Sequence, residues 1–495
     1  MNYLSIEFVI FIIATLTVYY LWPRKYIKYR YLLLLFASYF FIIFYNWRHG
    51  LFVVVSTLVS FASGLLTTHS KAGNHEMNRR IWPMVFSIVI NVGLLVIVKY
   101  FNWFNGMVTA LVNQPQVLVK FIIPLGISFY TFTLVAYNVD VWRGKFAPET
   151  NFLKFATFVS FFPKLMQGPI MYYDELAHEN EGSLFTNVTF HDVDFLASFQ
   201  RFVLGLLKKV LIADIIGVYV NYIWGNTNEV PGMYFPIVAI LYAIQLYCDF
   251  SGYMDMSLGI AGLFGIKLLE NFNVPYLSKT VQEFWGRWHI SLGRWFTYYV
   301  YIPLGGNRVS KQRWAFNIMA VWFLSGIWHG ADWTFVLWGL YFGVLLVIGR
   351  LSREKNKEKY GQYSGNFANS LRVVRTFILI TIGWSIFSAP NISTYLSFGK
   401  RFLRHPFDGS LLAMFNDQTL APIYFVFAIL LVIALVTFYY FHNIKGKFNK
   451  VFAVEKWKLS LSFIFNSGTI LAAIYLIVIL GGLGASASEF IYFNF

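Results

Sequence analysis

The sequence predicts an all-α, multi-spanning membrane protein, and three observations carry the prediction. Of its 495 residues 58% are hydrophobic and only 13% charged, with a mean hydropathy of +0.57, outside the range of soluble domains. Apolar runs long enough to cross a hydrocarbon core recur along the whole chain. Lys and Arg, whose excess gives a formal charge of +16, gather in a few short segments between those runs. Together these features predict about 11 to 12 spans plus re-entrant segments, with no internal repeat and no linker, in one membrane domain over residues 1–495.

The first run, Leu4 to Trp22, has no small-residue cleavage site after it and reads as a span. Arg24, Lys25, Lys28 and Arg30 follow it and no basic residue precedes it, which puts the N-terminus outside the cytoplasm. Spans are expected next at Tyr31 to Trp47 and Leu51 to Thr68, then a cytoplasmic polar loop with Lys71, Arg79 and Arg80. Trp82 to Tyr100 returns to a loop, Asn102 to Val117, that has no basic residue.

The run FIIPLGISFYTFTLVAYNVDVWRGK is broken by Pro124 and Gly126, and a similar break recurs at Pro163, Lys164, Gln167, Gly168 and Pro169 in FVSFFPKLMQGPIM. Each break alone reads equally as a kinked helix or as a re-entrant element. Freed backbone groups must find protein or cavity water, so two breaks together suggest a cavity. A polar loop from Met171 to Asp194 precedes a span at Phe199 to Tyr222.

In Phe235 to Phe264 the segment QLYCDFSGYMDMSLG sets Gln245, Asp249, Ser251, Gly252 and Asp255 in apolar sequence. Carboxylates at such depth either line a substrate path or glue helices together. ENFNVPYLS, with Asn271, Asn273 and Pro275, then turns the chain. Further spans are expected at Trp333 to Gly349, Val374 to Phe387, Leu420 to Tyr440 and Leu459 to Leu480. Arg350 to Lys359 marks a cytoplasmic loop, whereas the outer loop with Asp408 and Asp417 also holds Lys400, Arg401 and Arg404. By parity the C-terminus lies outside, ending in GGLGASAS and an aromatic tail with Tyr492, which by itself reads as an interfacial anchor.

Positive-inside orientation accounts for most of the basic excess, so nucleic acid is not an expected partner. Basic loops could also attract an anionic, phosphate-bearing cosubstrate. Cys248, the sole cysteine, lies in an apolar segment, which leaves no disulfide and no cysteine metal site. No Walker A, GxSxG, HExxH or Cys/His metal spacing is present.

What remains is the stretch from Glu283 to Trp333, with two histidines. Trp285, His289, Leu292 and Phe296 fall on one helical face flanked by Arg287 and Arg294, as in a helix at a membrane surface or a cavity mouth. His329 closes the apolar run Trp314 to Trp328, just before Asp332. That run is short for a full span, which would leave His329 at depth. An imidazole there is costly to bury without a partner and is a functional candidate.

Seven motifs in order carry a resemblance to the membrane-bound O-acyltransferases, in particular their alginate O-acetylation branch. They are PLGISFYTF, FFPKLMQGPI, QLYCDFSGYMDM, ENFNVPYLS, EFWGRWHISL, YIPLGGNR and SGIWHGADW, covering residues 124–343. The resemblance implies a ring of tilted helices around a central tunnel, with His329 catalytic and His289 also important. It implies a substrate tunnel lined by Trp328, Asp332, Trp333, Asp249, Asn273, Arg287, Arg294 and Gln167. Trp322 would join Trp328 and Trp333 in keeping the site dry. Imidazole suits the proton transfer, and His289 would orient substrate or stabilise an oxyanion.

The tail residues Phe490, Tyr492 and Phe495 resemble the FxYxxF ending of a small partner protein in teichoic-acid D-alanylation. That likeness implies an acyl relay on the Tyr492 phenol. The resemblances further imply a bacterial cytoplasmic membrane, acetyl-CoA as cosubstrate with no bound cofactor, and an extracytoplasmic SGNH-hydrolase-like partner beside polysaccharide synthesis and export machinery. A D-alanyl carrier protein is the alternative donor. A transporter or flippase stays open as a different class and predicts inverted repeats; a structural subunit would have no need of His329.

Overall fold

Apolar sequence without strand alternation folds here into helices almost throughout. The computed structural model describes residues 3, 5–44, 46–70, 77–177, 182–355 and 366–408. The expected spans Leu420 to Tyr440 and Leu459 to Leu480, and the Tyr492 tail, lie outside the described residues.

Helix α1 (Ile6–Leu21) opens at Ser5, whose hydroxyl accepts from the Phe8 N–H at 3.3 Å. After α2 (Tyr31–Ile43), α3 (Trp47–Thr67) is capped by Asn46, which accepts from the Arg48 N–H at 3.0 Å. The polar loop that follows carries a small antiparallel ribbon, β1 (Thr68–Ser70) on β2 (Met77–Arg79), in an otherwise helical fold. The pairing gives backbone groups beyond the end of α3 partners of their own.

Helix α4 (Ile81–Leu111) runs well past the expected end at Tyr100. No proline lies between Asn102 and Ala110, the helix continues through Asn105 and Gly106, and the chain beyond it folds back onto the added turns. Asn102 Nδ2 donates to the Val119 carbonyl at 2.8 Å while Asn102 Oδ1 accepts from the Val119 N–H at 3.0 Å.

The two Pro/Gly breaks meet. Helix α5 (Ile127–Arg143) starts after Gly126, whose φ of +70° suits glycine, and α6 (Phe152–Ser160) is followed by the single turn α7 (Phe162–Leu165). A Cβ on Gly126 would stand 2.2 Å from the Leu165 carbonyl oxygen, so the two broken backbones touch. Ser38 Oγ accepts from the Phe162 N–H at 3.1 Å, and the Tyr3 and Ser257 hydroxyls both donate to the Pro163 carbonyl. Protein groups thus satisfy the freed backbone. The turn α8 (Tyr173–Leu176) closes this region.

The apolar run expected as one span at Phe199 to Tyr222 is divided: α9 (Phe195–Leu207) and α10 (Asp214–Gly225) are joined by a π turn, Lys208–Ala213. Two adjacent lysines inside the run explain the division, because the wider turn lets both reach carboxylates. Then come α11 (Tyr234–Leu263), α12 (Val281–Arg287), α13 (Ile290–Phe296), α14 (Lys311–His329), α15 (Trp333–Lys355), α16 (Asn366–Ser388) and α17 (Ile392–Arg404). Among the described residues five helices, α3, α4, α11, α15 and α16, are long and apolar enough to cross a membrane.

The described residues form two compact units, one within Met1–Ser198 and Ser257–Thr376 and one within Phe199–Met256 and 377–408. The first has an aromatic core in which Phe132 of α5 stacks on Trp295 of α13 at 3.8 Å and on Trp328 of α14 at 5.3 Å. In the second, Lys209 pairs with Asp249 and Asp214 at 2.8 Å each, and Lys208 with Asp255 at 2.6 Å. At its edge Asp408 accepts from Arg401 at 2.7 Å and from the Gly232 N–H at 3.1 Å. The hydrogen bond from Arg401 holds the Asp408 carboxyl below the usual carboxylate range.

Candidate active site

His289 does not sit within a continuous helix. Helix α12 begins at Thr280, which accepts from the Glu283 N–H at 3.0 Å, and it ends at Arg287; α13 starts only at Ile290. Between them Trp288 bridges antiparallel to Phe272, and His289 takes φ +48° and ψ +52°. That left-handed conformation is uncommon for a residue with a Cβ and costs about 1–2 kcal/mol. The ENFNVPYLS turn holds it there: Asn273 N donates to the Arg287 carbonyl at 2.9 Å, and Ile290 N to the Asn271 carbonyl at 3.1 Å. The single helical face expected for Trp285, His289, Leu292 and Phe296 is therefore corrected. Trp285 turns to Trp322 at 4.5 Å, whereas His289, only 2% exposed, stacks on Phe129 at 6.4 Å.

His329 is the last residue of α14, and it is 4% exposed. Helices α14 and α15 cross at two glycines. A Cβ on Gly326 would lie 2.4 Å from the Phe335 carbonyl, and one on Gly339 would lie 2.3 Å from the Trp322 carbonyl. This close approach brings Trp338 of α15 edge-on to the His329 ring at 4.9 Å.

The last turn of α14 is closed from α4. Tyr100 donates to the Ile327 carbonyl at 2.7 Å, and Lys99 Nζ donates to the Trp328 carbonyl at 2.5 Å and the His329 carbonyl at 3.3 Å. Trp328 neighbours both imidazoles, 6.3 Å from His289 and 4.8 Å from His329 by ring centroids. Two buried imidazoles beside one indole put two groups able to accept or donate a proton within aromatic walls.

The remaining residues expected at the site have the following places. Trp328 is buried in the core cluster with Phe129 and Phe132. Gln167 is buried in the second break. Asp332 caps α15, accepting from the Thr334 N–H at 2.8 Å, while Trp333 is 51% exposed and meets Trp103 edge-on at 5.3 Å. Arg287 pairs with Glu283 at 2.7 Å. Arg294 pairs with Glu175 and lies over the Tyr172 ring at 4.9 Å. Asn273 is exposed and ties its backbone to Arg287, and Asp249 is in the second unit, paired with Lys209. Tyr492 lies outside the described residues.

Sequence reasoning passed over Lys99, Asn271 and Ser291 as site residues. Lys99 had a signal, being the one basic residue inside the apolar run Trp82 to Tyr100. Ser291 joins the two motifs that carry the site, taking the Asn271 Oδ1 at its N–H at 2.8 Å and the Ile170 N–H at its hydroxyl at 3.1 Å. Nothing in the spacing of those residues foretells that link.

The chain matches the family model described as MBOAT, membrane-bound O-acyltransferase family, over residues 10–389, a range that contains both histidines and Lys99. It is 36% identical over 392 residues to Probable alginate O-acetylase AlgI of Azotobacter vinelandii, covering 77% of this chain and 74% of that protein. It is 31% identical over 387 residues to Peptidoglycan O-acetyltransferase of Helicobacter pylori, covering 73% and 72%. To Teichoic acid D-alanyltransferase of Bacillus subtilis it is 31% identical over 293 residues, covering 56% of this chain and 70% of that protein.

Proposed function

Because the chain belongs to the membrane-bound O-acyltransferase family and is an integral membrane acyltransferase, we propose that it draws an acetyl group from a cytosolic thioester for O-acetylation of an exported or cell-wall polysaccharide. The acetyl group crosses the bacterial cytoplasmic membrane in the process. The observation that carries the reading is the pair of buried imidazoles on Trp328. Names of relatives that act on alginate and on peptidoglycan as O-acetyl transferring enzymes support the acetyl group and a glycan acceptor.

His329 takes the proton of a hydroxyl as its oxygen attacks the thioester carbonyl. The new C–O bond forms, the C–S bond breaks, and the imidazolium returns the proton to the leaving thiolate. His289 orients the acyl carbonyl or stabilises the oxyanion. Acetyl-CoA is the donor in this reading, and the acceptor hydroxyl is the Tyr492 phenol or a group on an SGNH-hydrolase-like partner working with the polysaccharide export machinery. Both termini are then extracytoplasmic, where the Tyr492 phenol that follows the GGLGASAS segment passes the group on.

A second reading is D-alanyl transfer to teichoic acid from a carrier protein, favoured by the likeness to the Bacillus subtilis enzyme. Intact-mass analysis of purified protein with labelled acetyl-CoA separates the two, run on wild type, His329→Ala and Tyr492→Phe. Label on Tyr492 that depends on His329 supports the enzyme, donor and relay. An unlabelled wild type that accepts D-alanine from its carrier instead replaces the acetyl reading with the second.

A further inference from the structure

Helix α14 ends without the usual closure. Its C-cap residue, Gly330, is extended with φ −170° rather than left-handed, so no Schellman turn satisfies the last carbonyls. The Gly330 N–H reaches the Ile327 carbonyl at 3.2 Å, and the oxygens of Trp328 and His329 look elsewhere for donors. Both find Lys99 Nζ, more than two hundred residues away in sequence and carried by an otherwise apolar membrane-length helix; the Tyr100 hydroxyl adds a longer bond, 3.4 Å, to the Trp328 oxygen, whereas the His329 oxygen is met by Lys99. No carboxylate among the described residues pairs with Lys99. Its ammonium also lies 5.9 Å from the centre of the Trp328 ring, the indole that both imidazoles touch.

A basic side chain in an apolar span is rare and functional by default. One that only snorkelled toward a headgroup would carry its head away from the protein; this one turns Nζ onto the carbonyls flanking the His329 Cα. A cation at a helix C-terminus also opposes the negative end of the helix dipole. We propose that Lys99 is the positioning residue of His329, its ammonium clamping the final turn of α14 and so fixing where the imidazole stands against Trp328 and Trp338. The catalytic consequence rests on the acyl-transfer reading above; the clamp itself does not.

Two measurements on the full-length detergent-solubilised protein test it, with thermal melting to confirm that each variant folds. Hydrogen exchange followed by mass spectrometry on the peptide holding Ser325 to Gly330 reads the clamp without any turnover. Lys99→Met is expected to speed exchange there by about tenfold, and Lys99→Arg, which keeps a cationic donor, to leave it near wild type. Transfer from labelled acetyl-CoA should show kcat lowered about 10–100-fold in Lys99→Met, with KM within about twofold and rescue in Lys99→Arg. Unchanged exchange in Lys99→Met overturns the clamp. Faster exchange with unchanged kcat overturns the positioning role. If wild type transfers neither acetyl nor D-alanyl groups, the functional reading falls while exchange still decides the clamp. Should Lys99→Met not fold, Lys99→Gln goes through both measurements under the same criteria.

Discussion

Asn271 holds the start of α13 through Ser291: its side-chain oxygen accepts the Ser291 N–H at 2.8 Å, while its own carbonyl accepts the preceding N–H, that of Ile290, at 3.1 Å. Two orphan amides of a buried helix start are satisfied by one asparagine. Asn271→Ala leaves the Ser291 amide buried and unmet, at a cost of about 1–3 kcal/mol. We expect a lower melting temperature and a larger fall in transfer rate than in folded yield, because His289 is the residue the turn positions. A variant that melts earlier yet turns over normally per folded molecule would separate Asn271 from the site.

His329→Gln keeps the size and a polar head but removes the proton acceptor. Loss of a general base costs about 10²–10⁴ in rate, and the mutation is expected to abolish labelling from acetyl-CoA without moving the melting temperature by more than a few degrees. Residual labelling near the wild-type level would remove His329 from the chemistry.

For His289 backbone and side chain can be separated. Its left-handed conformation suits Asn or Gly and penalises a β-branched residue. His289→Asn should therefore fold as well as wild type and lose rate, whereas His289→Val should lose about 1–2 kcal/mol of stability as well. Equal melting temperatures for the two would show that the backbone relaxes on substitution.

At Gly326 any side chain meets the Phe335 carbonyl. Gly326→Ala forces α14 and α15 apart, an overpacking that costs about 1–3 kcal/mol, and it shifts the helix that ends in His329. The expected result is a destabilised protein whose remaining folded fraction is also slow. A normal rate in that fraction would mean that the crossing tolerates the methyl group.

Much of this site is legible in the sequence because the physics involved is local. A histidine closing an apolar run, a second histidine in an aromatic segment and paired Pro/Gly breaks are all visible along the chain, and both histidines lie buried on one indole. The helix break at His289 was hidden, since 3.6-residue spacing continues through it and only pairing with Asn271 and Phe272, in the preceding motif, imposes the turn. Lys99 shows in the sequence as the lone basic residue of an apolar run, but its partners do not, because they are carbonyls, which every residue has. Arg287 and Arg294, expected along the tunnel, each have a carboxylate partner, Glu283 and Glu175.

Asp249 posed the sharpest choice in the sequence, between lining a path and gluing helices. In the structure Asp249 and Lys209 are each 1% exposed and 2.8 Å apart, and Asp214 approaches the same ammonium at 2.8 Å. One cation therefore answers two carboxylates, which fixes the order of the mutations. Lys209→Met leaves two carboxylates without their shared cation and should be the more damaging, by about 3–5 kcal/mol. Asp249→Asn leaves Lys209 still paired with Asp214 and should cost less. If the cluster is structural glue, both variants lower the melting temperature in that order while the transfer rate per folded molecule stays at the wild-type value. A folded Asp249→Asn protein with a depressed rate would instead put this carboxylate on the substrate path.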